Sequence, residues 1–377
     1  MSDITALVLS IGEDTTDRAL ESARRQLLPP EEIVVIRGVS PFYRALNEGA
    51  LRVTTEFFVQ IDSDMVLDEN CFQDLRECMD DDVGMVMGHL RDPLMGRVGW
   101  IKMFRRNCFE TVRYTDSIST DVVFADSIAR CGWKIVYALK PSRGTSTELW
   151  HTFGEHRPAY TPHYTYSKYL IEGRKYRYRR ALGALFWHFK ILEKSGHPVA
   201  FIAQIALAHG LFIREDADSL KPYEKNPEFD FLEEFQAKTG VYKAGRFRIL
   251  PGLTCSPKKV FQRTYRLGIR LRRANAFPAF KHCMDRLNRS QDPLARIAKI
   301  GLCHGLFFHR YDERTCAAEY ELLSELLVET RPLSILKGKF IASVSATYDF
   351  VSERGAVSGA KRLLKNFSLF KALSCWL

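Results

Sequence analysis

Asp62 and Asp64 stand two residues apart, with Ser63 between them, after the run Phe57-Phe58-Val59-Gln60-Ile61 and directly before Met65, Val66 and Leu67. A run this apolar and this short predicts a buried strand. The chain therefore sets two carboxylates at the mouth of its own core. Carboxylates this close repel and raise one another's pKa unless a cation relieves them. A hard divalent ion takes oxygen ligands and can bridge such a pair to the oxygens of a diphosphate. Acidic triplets also arise by chance, and the chain carries Asp80-Asp81-Asp82 and Asp216-Ala217-Asp218 as well. Of the three, only Asp62-Ser63-Asp64 follows a buried strand, so context singles it out.

The elements that must position this pair can be read from the surrounding pattern. Apolar runs at 4–10, 32–36, 56–61 and 83–88 predict strands. Helical spacing fills the gaps: from Thr15 or Thr16, as a cap, to about Leu28, then 41–53 and 69–79. Strands alternating with helices predict an α/β, doubly wound domain with a mostly parallel sheet covered on both faces. In such sheets ligands bind beyond the carboxyl ends of the strands, where the strand order reverses. The two aspartates sit at one of those ends.

Beyond residue 160 the texture becomes helical and rich in Tyr, Arg and Lys. Residues 192–212 align without gaps to 287–307, at an offset of 95, and both end in His-Gly-Leu-Phe. Gly173 and Gly268 stay in register upstream. This predicts an α-helical region with an internal repeat. Ser195 and Ser290, ahead of Pro198 and Pro293, read as helix starts. His209 and His304 read as packed or capping histidines. The expected organisation is 1–160 for the α/β domain, 161–256 for the first helical copy and its linker, and 257–377 for the second copy and a basic amphipathic tail.

Composition narrows the partners. The 377-residue chain is 46% hydrophobic, ordinary for a globular protein, and carries a formal charge of +10. That excess suits anionic partners without choosing among them. Nine cysteines without a paired spacing read as reduced thiols. The N-terminus lacks the basic and apolar regions of a signal peptide, and no run reaches the roughly 18 apolar residues of a membrane span. The expected location is cytoplasmic, with peripheral contact at the inner membrane face.

Five segments in order, "ALVLSIGED", "SARRQLLPPEEIVVI", "RALNEGA", "FFVQIDSDMVL" and "STDVVFADSIARCGWKIVY", resemble a GT-A glycosyltransferase of the family 2 type over roughly residues 3–160. The resemblance implies the GT-A fold (nucleotide-diphospho-sugar transferase-like) and a nucleotide-diphosphate sugar as donor. It implies donor contacts from Ser10, Gly12, Glu13, Asn47, Asp62, Ser63 and Asp64. It implies Mn2+ or Mg2+ held by Asp62, Asp64 and a histidine of "ELWHTFGEHRP", His151 first and His156 as its alternative. Asp121 takes the place of the general base of inverting enzymes, and the bland alternative is that it caps its helix. Arg105 or Arg106 falls where the acceptor-side loop would be and could meet a phosphate. The chain departs from the pattern at Ile36 and Arg37, where acidic residues would hold the nucleoside, and at Thr120, where the base is usually preceded by Glu.

The acceptor implied is a carbohydrate, glycolipid or protein. The basic stretches 167–180 and 263–273 suit an anionic acceptor or an anionic membrane. A sugar-1-phosphate nucleotidyltransferase would share the sheet but needs a Gly-rich phosphate loop that "LSIGEDTTDR" lacks. A non-catalytic scaffold acting through the helical repeats is the rival from another class. No nucleic-acid partner is expected, because no recognised binding motif accompanies the basic segments.

Overall fold

The computed structural model describes residues 2–138, 152–179, 182–213, 227–238 and 256–308. They all fall within one compact unit, Met1–Leu326. The first part alternates as expected: β1 (Ile4–Ser10), α1 (Thr16–Arg24), β2 (Glu32–Arg37), α2 (Phe42–Arg52), β3 (Phe57–Asp62), β4 (Met65–Leu67), α3 (Cys71–Arg76), β5 (Val83–Asp92), β6 (Gly96–Arg105), α4 (Cys108–Thr111), α5 (Thr120–Arg130), β7 (Lys134–Tyr137) and β8 (Thr152–His156).

All seven residues of β1 are buried, which explains its unbroken apolar run. Its side chains divide with period two. Ile4, Ala6 and Val8 face the core that holds Ala19, Leu20 and Ala23 of α1. Leu7 and Leu9 face the core that holds Leu46 of α2 and Phe124 and Ile128 of α5. Helices thus cover both faces of the sheet.

Strand order among the described residues is β2-β1-β3-β6-β5-β8-β4, with β7 also paired to β5. β1 pairs in parallel with both β2 and β3. β5 also runs parallel to β7 and β8, so four of the seven pairings among the described residues fit the expected mostly parallel sheet and three do not. β6 is antiparallel to both β3 and β5, and β4 is antiparallel to β8. The sheet is mixed because β5 and β6 form a hairpin across the tight turn at Asp92–Gly96. Leu94 N and Met95 N donate to Asp92 Oδ1 there, at 2.8 and 2.7 Å, and Gly96 takes φ +76°. An apolar strand reads the same in either direction, so its sequence does not disclose its polarity.

The helical part comprises α6 (Pro162–Tyr178), α7 (Leu182–Lys194), α8 (Ala200–Gly210), α9 (Pro227–Ala237), α10 (Pro257–Arg273), α11 (Phe277–Asn288) and α12 (Leu294–Phe307). Thr161 caps α6, its hydroxyl accepting from Tyr164 N at 3.1 Å, and Pro162 opens the first turn. Ser195 and Ser290 do not cap helices. Their hydroxyls accept from His197 N and Asp292 N, two residues on, and so shape the turns ahead of α8 and α12.

Positions that align across the 95-residue offset make corresponding contacts. His209 stacks on Phe307 at 3.8 Å, and His304 lies 3.7 Å from Phe212. α6 crosses α8 at Gly173 and Gly210, and α10 crosses α12 at Gly268 and Gly305. A Cβ on Gly210 would fall 2.1 Å from the Leu170 carbonyl oxygen, and one on Gly305 2.2 Å from that of Tyr265. These helices touch backbone to backbone, and only glycine allows it. Gly210→Ala is therefore expected to destabilise by about 3 kcal/mol through overpacking. Gly196→Ala, with nothing within 4 Å of the added carbon, should stay within about 0.5 kcal/mol. Urea midpoints at constant slope check both.

Candidate active site

β1 and β3 are parallel neighbours, with Leu9 opposite Asp62. The loops that follow them therefore open at the same end of the sheet. α1 and α2, which lead away from β1 and back to β3, lie on opposite faces, so this end is the point where the winding reverses. Asp62 is the last residue of β3, and Asp64 immediately precedes β4.

The pairing of β4 with β8 decides what Asp64 meets. Met65 lies opposite His156, and Arg157 N donates to the Asp64 carbonyl at 2.7 Å. This register brings His156 Nε2 to 3.0 Å from Asp64 Oδ2. The other ring nitrogen, Nδ1, lies 2.7 Å from Asp92 Oδ2. Asp92 is fully buried and well satisfied: besides the two turn amides, Tyr160 Oη donates to it at 2.6 Å. Burial acts against the Asp92 carboxylate, but the His156 and Tyr160 hydrogen bonds outweigh it and hold the group below the usual carboxylate range.

The two aspartates of the triplet titrate in opposite directions. Asp62 is raised to about 6, first by burial and then by the charge of Asp64. Gln60 Nε2 donates to Asp62 Oδ1 at 3.0 Å and partly offsets this. Burial also opposes the Asp64 anion, but the His156 hydrogen bond and charge, with Lys168 behind them, hold it below its usual value. Burial and Lys168 act against the imidazolium, yet its two carboxylate partners raise His156 overall.

Lys102 lies opposite Gln60 in the β3–β6 ladder, so it shares a face with Gln60 and Asp62. Its buried ammonium donates to Asp121 Oδ2 at 2.8 Å. Asp121 stands in the first turn of α5 and is 48% exposed. Its carboxylate goes to Lys102 rather than to a helix amide, and no side-chain cap closes this helix. Partial burial opposes its charge, but Lys102, and then Lys175 of α6, hold it below the usual range.

The other residues singled out from sequence fall as follows. Ser10 and Glu13 bind each other at 2.8 Å and, with Gly12 at φ +106°, build the turn after β1. Asn47 exchanges hydrogen bonds with the backbone of Tyr114, at 2.9 and 3.0 Å, and so braces the segment leading to α5. Ser63 is buried between the aspartates. Arg105 lies away from the triplet. It pairs with Phe57 at the opposite end of β3, and its guanidinium binds the Val83 and Asp80 carbonyls and Glu56. His151 and the 216–218 triplet lie outside the described residues. So does the 335–377 tail. Among the described residues no helix is long and apolar enough to cross a membrane.

Sequence reasoning missed Lys102 and Asp92, and placed Lys168 only within the basic stretch 167–180. Lys102 left a signal, a lone cation inside the apolar run Ile101–Phe104. Asp92 left none, and the stretch around Lys168 pointed to an anion but not to His156, because both meanings depend on distant pairing.

The groups at the triplet suit a divalent cation. Two carboxylates and one imidazole nitrogen form a mixed hard donor set. Asp92 fixes His156 by its Nδ1, the arrangement that presents Nε2 to a metal. Among the described residues no three such side chains already surround one point. The Gln60 Oε1 oxygen beside Asp62 is buried without a protein partner, a further acceptor at the same place.

No family model and no curated protein matches the chain. Among solved structures it is similar to the mannosyltransferase PcManGT from Pyrobaculum calidifontis in complex with GDP-Man and Mn2+, at 13% identity and TM-score 0.36, covering 81% of this chain and 87% of that one. It is similar to S. aureus TarS 1–349 at 12% identity and TM-score 0.33, covering 85% and 91%. The bifunctional IspDF from Campylobacter jejuni is matched at 15% identity and TM-score 0.26, over 40% of this chain and 52% of that one. Likeness at this level assigns no function.

Proposed function

We propose that the chain is a glycosyltransferase of the GT-A type that transfers a sugar from a nucleotide-diphosphate donor to an acceptor hydroxyl, with Asp62, Asp64 and His156 holding Mn2+ or Mg2+ and Asp121 acting as base. The observation that carries this reading is the Asp92–His156–Asp64 chain set against the acidic triplet at the carboxyl end of β3. A bare pair of aspartates in a turn needs no oriented imidazole. A cation site does.

When bound, the ion supplies charge neutralisation at the departing diphosphate. The chain's own residues do the rest. Asp92 keeps a proton on His156 Nδ1 and leaves Nε2 as a ligand. Lys102 anchors Asp121 Oδ2, so the half-exposed carboxylate can take the acceptor hydroxyl proton at Oδ1 as that oxygen attacks the anomeric carbon. A proton moved at the face opposite the leaving group accords with inversion. The Ser10–Glu13 turn opens beside the triplet and suits the nucleoside end. The two helical hairpins, α6 with α8 and α10 with α12, are read as copies of one unit, supported by their matching glycine crossings and reciprocal histidine contacts.

Thermal shift and hydrolysis across a panel of nucleotide-sugars, each with and without Mn2+, test the reading. One donor class is expected to raise Tm only with Mn2+ present, and Asp64→Ala should lose that rise. A flat response to every donor would remove the glycosyltransferase assignment. Pyrophosphate released from a nucleoside triphosphate and a sugar-1-phosphate would point to the nucleotidyltransferase instead.

A further inference from the structure

α6 sends one side chain into the cation site. Lys168 Nζ lies 3.4 Å from His156 Nε2, the same nitrogen that stands 3.0 Å from Asp64 Oδ2. An ammonium, an imidazole and a carboxylate thus meet at the point where the divalent ion would take its ligands. The ammonium is held there from behind: it lies 5.6 Å from the ring centroids of both Tyr160 and Tyr164, each presenting its π face. Tyr160 is also the residue that donates to Asp92, so the cage and the histidine support are one assembly. Burial lowers Lys168 below its ordinary value overall, while Asp64, Asp92 and Glu172 favour the ammonium's charge and Lys175 opposes it.

A unit charge and a divalent ion cannot share this point, since at such separations their repulsion outweighs most single ligand contacts. Lysine is a compact charge on a flexible four-carbon stem and can withdraw without moving its helix. What would draw it away is a stronger anion, and the diphosphate of a donor is one. We propose that Lys168 is a built-in cation that holds the Asp64–His156 pair in the donor-free protein and exchanges with the divalent ion when a nucleoside diphosphate arrives, so that metal and nucleotide bind as a coupled pair. This rests on the reading of Asp62, Asp64 and His156 as a cation site.

Mn2+ binding to the full chain, followed by the electron paramagnetic resonance of the free ion, tests the exchange directly, alone and with UDP or GDP as probes. Wild type should bind Mn2+ weakly alone and about tenfold or more tightly with the nucleotide that fits. Lys168→Met should bind Mn2+ alone about tenfold tighter than wild type, with most of the nucleotide-induced gain gone. Lys168→Gln serves as a second neutral variant where methionine unsettles α6. Neutral variants that bind Mn2+ no tighter than wild type overturn the exchange. If that binding still requires Asp64, the cation site survives and only the role of Lys168 fails. If Asp64→Ala binds Mn2+ as wild type does, or wild type binds none even with nucleotide, the cation site itself is wrong and the proposal falls with it.

Discussion

Asp121→Asn is expected to lower turnover about a thousandfold while leaving Mn2+-dependent donor binding unchanged. The asparagine keeps the size of the side chain and an oxygen for Lys102 but cannot accept the hydroxyl proton. A base acts only as the acceptor attacks, so its loss appears in kcat rather than in donor affinity. Asp121 is held below the usual carboxylate range by Lys102, against the effect of burial. It therefore stays in its basic form throughout the working range, and the acid limb of the pH profile must come from elsewhere. In the free protein Asp62 binds a proton up to about pH 6, and His156 is raised above its ordinary value. A cation must displace both protons. kcat/KM should accordingly fall with falling pH, steeply below about 6. A profile flat to pH 5, or an Asp121→Asn enzyme with full turnover, would remove these residues from the mechanism.

The second large effect is on stability and lies in the helical part. Wild type should lose stability steadily as pH falls from 6.5, while a His209→Gln/His304→Gln variant, weaker at neutral pH, should lose much less. Burial pushes His209 down to about 3, with the nearby His304 adding to it, and burial pushes His304 well below its ordinary value. Between these depressed values and 6.5 the unfolded chain binds protons that the folded chain refuses. Stability is thus fully present above 6.5 and declines on acidification, by about 1.4 kcal/mol per pH unit for each histidine. His156 works in the opposite sense. Its raised value adds stability below 6.5 that is lost as pH rises through the folded value. Among the described residues His89 and His188 are depressed as well, while Asp62, raised to about 6, acts with His156, so four depressed histidines against two raised groups leave a net loss in acid. Urea titrations at pH 7.5, 6.5 and 5.5 measure the slope, and a wild-type free energy constant across them would contradict the burial of both rings as neutral groups.

The physical origin of these histidines was legible early. A His-Gly-Leu-Phe repeated at a fixed offset inside apolar helices reads as packing, and both rings are buried against phenylalanines of the other hairpin. The acidic triplet was legible too, because a strand-length apolar run that ends in two carboxylates is visible in one stretch of chain. The direction of β6 was not. Nor was the histidine that meets Asp64: His151 and His156 stand in one short segment, and only the antiparallel register of β8 on β4, with His156 opposite Met65, brings the second of them to 3.0 Å from that carboxylate.

By itself the sequence determined the periods: which residues alternate into two cores, where the helices run, and that acids close β3. Those follow from local burial and spacing. Tertiary structure decided the partners, Lys102 for Asp121, Asp92 and Asp64 for His156, and Lys168 beside His156. Each depends on strand register and helix docking, which are set by the summed packing of whole elements and shift every side chain together.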